Sequence, residues 1–143
     1  MPPAWILLTA LAAAGQSGSR PTAESLAGRW TVTLWVDSSR VARPAPRGAA
    51  ITGTITLKAV ATADRITLTG RYALDLAAFG LGPNSESVLA FGAAGDTIQV
   101  ILRPDVDHGH ASLVGVFRLG RLEGRWTWIG DPTFAAGRFV MHR

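Results

Sequence analysis

Residues Leu26–Val36 read LAGRWTVTLWV, and the alternation in this stretch decides the fold. Trp30, Val32, Leu34 and Val36 fall on one side of an extended chain, and Arg29, Thr31, Thr33 and Trp35 on the other. A period of two places successive side chains on opposite faces, which is the pattern of a strand with one buried face. Its opening, Gly28-Arg29-Trp30, recurs in variants: Gly70-Arg71-Tyr72, Gly115-Val116-Phe117, Gly124-Arg125-Trp126 and Gly137-Arg138-Phe139. Each puts an aromatic ring two residues after a glycine, on the same strand face.

The same alternation continues along the chain. Ile51–Val60 and Arg65–Leu76 are joined by a short turn and form an expected hairpin. Glu86–Gly92, Thr97–Arg103, His110–Leu119, Leu122–Ile129 and Phe134–Arg143 follow as further strands, separated by turns rich in Gly, Pro, Asp and Asn. No helix is expected after the leader. The sum is an all-β domain of about eight antiparallel strands with mostly short connections, an up-and-down meander. Closure into a β-barrel would remove exposed sheet edges. The competing arrangement is an open β-sandwich of two sheets.

Length and composition agree with one domain. The 143 residues are 48% hydrophobic and 17% charged, against ~25% charged in typical soluble proteins. The net charge of +4 comes from thirteen Arg and one Lys scattered over strands and turns, without the clustering of a nucleic-acid-binding stripe. The lack of cysteine removes disulfides, thiolate chemistry, Cys-ligated zinc and a bacterial lipid-anchor cysteine. Residues 1–19 read as an export leader or retained hydrophobic segment. Ala4–Ala14 is an apolar run of eleven residues, and Ala12-Ala13-Ala14 offers a signal-peptide-like end. As a helix, that run would span roughly 16 Å, about half of a bilayer core near 30 Å. A short buried N-terminal helix is the alternative. Residues 20–25 read as a linker and 26–143 as the barrel domain.

The inward-facing set limits the chemistry. Trp30, Val32, Leu34, Ile55, Leu57, Ile66, Leu68, Leu74, Phe91, Val100, Leu102, Leu113, Phe117, Leu122, Trp126, Trp128, Phe139 and Met141 carry no charge, and Tyr72 adds nearly the only polar atom. Acid–base or nucleophilic catalysis needs a titratable pair held in a cleft. None falls inside, so an enzyme is not expected and no cofactor is implied. The turn Asp105-Val106-Asp107-His108-Gly109-His110 gathers metal-ligand types, Asp105, Asp107, His108 and His110, but Asp with Gly is also ordinary turn chemistry.

Outward positions are more informative. On the early strands they are Thr, Arg, Lys and Asp. On the later ones Ile101, Val114, Val116, Ile129 and Val140 point outward, and Trp35 joins them from the first strand. If contiguous they form an apolar patch of the kind that marks interfaces; dispersed, they carry nothing. The Pro-rich segment Asp37–Ala50 adds Arg40, Arg43 and Arg47, read either as a contact loop or as a solvated one.

The Gly28-x-Trp30 opening, combined with the eight-strand meander, resembles the calycin-type barrels: lipocalins, fatty-acid-binding proteins and avidins. In lipocalins such a Trp closes one barrel end under an Arg from near the last strand, so the resemblance implies that part for Arg138 or Arg143. The chain departs from the family: it lacks the lipocalin Thr-Asp-Tyr turn, a helix after the last strand, and the inward Asn, Ser and Asp with which avidins hold biotin. The resulting expectation is a non-catalytic exported barrel on the periplasmic side of the cytoplasmic membrane. It would serve as an accessory subunit that meets a protein partner, possessing an N-terminal tether. The other expectation is a lipocalin-like carrier of a small apolar ligand at the mouth near Asp37–Ala50.

Overall fold

The computed structural model describes residues 20–40, 48–63, 65–76, 87–92, 96–105, 109–130 and 133–143. One helical turn, α1 (Ala23–Leu26), precedes eight strands: β1 (Gly28–Arg40), β2 (Ala50–Ala61), β3 (Ile66–Ala73), β4 (Ser87–Gly92), β5 (Thr97–Asp105), β6 (Gly109–Arg118), β7 (Arg121–Gly130) and β8 (Thr133–His142). Seven strands have eight residues or more and β4 has six. Each pairs antiparallel with the next, and β8 returns to β1, with Leu34 opposite Phe139 and Trp35 opposite Arg138. The fold is an up-and-down antiparallel barrel, compatible in architecture with the calycin type. Pairing of β1 with both β2 and β8 excludes the open sandwich.

The glycine–aromatic repeat acquires a packing reason. Trp126 on β7 lies opposite Gly137 on β8, and Gly124 opposite Phe139, so a large ring on one strand fills space left by the next. A Cβ at Gly137 would stand 1.7 Å from the Trp35 carbonyl oxygen, so only glycine permits β8 to come this close to β1. Gly28 has φ of +114°, a backbone that side-chain-bearing residues rarely adopt. Trp30, Trp126, Trp128 and Phe139 are the largest fully buried side chains.

Two differences from the sequence reading have local causes. Ala23–Leu26 is helical rather than connecting chain because Thr22 and Ser25 form a capping box: Ser25 N–H donates to Thr22 Oγ1 at 3.1 Å and Thr22 N–H to Ser25 Oγ at 2.7 Å. β1 runs on to Arg40, past the expected loop start at Asp37, by means of a bulge: Val36 pairs with Gly137, but Ser38, not Asp37, pairs with Ala136. Leu74 and Leu76 are buried as expected, although β3 ends at Ala73. The expected leader, residues 1–19, lies outside the described residues. Among those described, no helix is long and apolar enough to cross a membrane.

Candidate interaction surfaces

The two barrel ends are built differently. At the end where α1 sits, Trp30 Nε1–H donates to the Leu26 carbonyl at 2.8 Å. The Trp30 ring meets Phe117 edge-on at 6.2 Å. The Arg143 guanidinium lies 4.9 Å from the Trp30 ring centroid. Its Nη2 donates to the carbonyls of Ser25 (2.7 Å) and Ala27. These are carbonyls that a helix end leaves without intrahelical partners, so one cation both covers the ring and caps the turn. Of the two arginines that the calycin resemblance implied, Arg143 takes the place over Trp30. Arg138 stacks instead on Trp35, at 4.8 Å.

On the outer wall, polar neighbours separate most of the expected apolar positions. Trp35 is half-buried beneath Arg138, and its carbonyl accepts from Trp126 Nε1–H at 2.8 Å. Arg138 lies opposite Arg125, a like-charge pair relieved on one side by Asp37, 3.1 Å from Arg125 Nη1. Val114, 43% exposed, is flanked by Gln99 and Arg125; Val116 by Thr97 and Glu123; and Val140 by Glu123 and Thr33. Ile101 pairs with Ser112. A shallow depression of about 280 Å³ lies against Val116, Arg118, Arg121 and Glu123.

Ile129 is different. It lies opposite Phe134, and the two are 57% and 40% exposed. Across β1, β8, β7 and β6 the register runs Arg40, Phe134, Ile129, His110, at the end opposite α1. The rim thus brings together Ile129 and Arg40, both expected as contacts, with His110, expected as a possible ligand. Phe134 was missed by the sequence reading. Its parity with the outward Val140 was the available signal, obscured because Phe134 begins its strand.

Arg43 and Arg47 lie outside the described residues, as do Asp107 and His108. Asp105 ends β5 and pairs through its backbone with Gly109, so the candidate metal turn is anchored on paired strand ends. Among the described residues, no three His, Asp or Glu groups gather around a common point.

Among the described residues, the inward side chains are closely packed. Val32, Leu34, Ile55, Leu68, Val100, Leu102, Leu113 and Trp126 have no surface that water could touch. No family model, curated protein or solved structure matches the chain significantly.

Proposed function

We propose that the chain is a non-catalytic exported barrel acting as an interaction or accessory subunit of a membrane-associated complex, with the rim row Arg40–Phe134–Ile129–His110 at the centre of its contact surface. The observation that carries this reading is the exposed Phe134–Ile129 pair, set beside inward side chains that, among the described residues, are apolar and buried. Where an eight-stranded barrel is filled by its own side chains, recognition falls to its walls and rims. An exposed aromatic ring beside an exposed aliphatic side chain has the composition of an interface centre. The Arg-rich segment holding Arg43 and Arg47 joins β1 to β2 at this end and adds charge for a partner's acidic groups. The wall positions Trp35, Val114 and Ile101 form its periphery, while Val116 and Val140, which share Glu123 as a neighbour, lie towards the plugged end and outside it.

Photo-crosslinking from the full chain in native membranes tests the reading. A crosslinker at position 134 or 129 should capture one discrete protein species, and one at the Thr-rich wall position Thr69 should not. Equal labelling from both faces would overturn it.

A second reading has one supporting observation: the α1–Trp30–Arg143 plug has the arrangement implied by the calycin resemblance. It makes the chain a lipocalin-like carrier with an apolar ligand at the mouth near Asp37–Ala50. Co-purification of a small apolar molecule, lost on substitution at the mouth, would favour it over the first.

A further inference from the structure

The plugged end carries an apex that the partner reading does not use. β6 and β7 are joined by two residues, Leu119 and Gly120, with φ of +52° and +70°. Positive φ at both positions is the requirement of the type I′ hairpin turn, which Asn-Gly meets with least strain. A leucine there crowds its Cβ against the following carbonyl. Packing does not repay that strain, because the Leu119 side chain is fully exposed. A bulky residue in a strained conformation, open to water at the tip of a hairpin, points to a contact outside the chain.

What surrounds it indicates the kind of contact. Arg118 and Arg121 flank the apex with side chains 74% and 56% exposed, each in a surface ion pair, with Asp96 at 3.6 Å and Glu123 at 3.0 Å. The described residues at this end add Arg20, Arg29, Lys58, Arg65 and Arg143, all exposed, against the acids Glu24, Asp96 and Glu123. Val60, beside the β2–β3 turn, is 57% exposed at the same end. The chain also enters the barrel here, through Arg20 and α1. An apolar tip bordered by arginines matches a bilayer interface: the tip lies below the headgroups while the guanidiniums stay among their phosphates. Excess positive charge selects anionic lipid.

We propose that the plugged end rests on an anionic bilayer and that Leu119 inserts into it. This goes beyond the partner reading and stands without it, since the partner would bind at the opposite rim.

The chain has no cysteine, so L119C and T52C each accept one environment-sensitive fluorophore in the full-length protein. With vesicles of phosphatidylglycerol and phosphatidylcholine, the label at 119 should shift to the blue and the label at 52, on the wall towards the opposite rim, should not. Vesicles of phosphatidylcholine alone should give a smaller shift at 119. L119N supplies a better turn residue, so it should melt no lower than the wild type while partitioning to anionic vesicles about tenfold more weakly, the scale of losing one buried leucine. Flotation with no response at position 119 would assign binding to the N-terminal segment and overturn the proposal. L119N partitioning like the wild type, or absence of binding to anionic vesicles, would overturn it too. Protein-free vesicles leave the rim crosslinking result independent of each outcome.

Discussion

At the end where the chain enters the barrel, Trp30 and Phe117 lie buried beneath α1 and Arg143, and the helix carbonyls are capped by that same arginine. At the other end, Ile129 near the end of β7 and Phe134 near the start of β8 pair with each other and are exposed. Among the described residues Ile129 and Phe134 stay exposed at the rim, whereas at the first end, Leu119 and Val60 at its turns aside, the chain's own elements cover the large rings. Burial there contributes to stability, whereas at the rim the same kind of side chain remains available to another molecule. Substitutions at the two ends should therefore separate stability from recognition.

Trp30→Ala should break the plug most severely. It removes a buried ring and leaves the Leu26 carbonyl without its donor, and should cost about 3–5 kcal/mol in urea unfolding. Gly137→Ala attacks the seam joining the ends: its Cβ would collide with the Trp35 carbonyl. A loss of about 1–3 kcal/mol is expected, with faster hydrogen exchange concentrated on β1 and β8. Arg143→Met should sharpen the contrast more gently. It keeps some cover over Trp30 but gives up the carbonyl contacts, a loss of about 1 kcal/mol measured by the same unfolding. Phe134→Ser and Ile129→Ser should change stability by no more than about 0.5 kcal/mol, as for exposed positions, while crosslinking from the neighbouring rim position falls to background. A rim substitution that destabilised the barrel as much as Arg143→Met would show that the two ends do not differ in the way described.

Much of this architecture was legible in the chain. Alternation from Trp30 to Val36 separated inside from outside correctly for the core, and the Gly-x-aromatic repeat marked where large rings would be accommodated. The candidate surface was legible only in part. Trp35 and Ile129 both read as outward and apolar, but one is covered by Arg138 and the other is not. Phe134 was not identified as a candidate, and Leu119, which the alternation of His110–Leu119 places inward, is instead fully exposed in the β6–β7 turn. Phe134 gains its meaning from the strand beside it, and Leu119 from a backbone angle that no residue pattern displays.

By itself, the sequence determined the inward set of most strands and that the domain is made of antiparallel strands; Phe91, read as inward, instead pairs in register with the outward positions Thr67 and Gln99. A period of two is a local property of one strand, and apolar burial acts on each strand alike. Only the tertiary structure decided the register. It brought Trp126 to the Trp35 carbonyl, 91 residues away, and Arg143 to the Ser25 carbonyl, 118 away. The Asp37 bulge shifted β1 by one residue, so that Ser38, of the same parity as Trp30, pairs with the outward Ala136, and Arg40 pairs with Phe134. Hydrogen bonds between distant segments set such offsets, and a one-residue step reverses which face a side chain occupies.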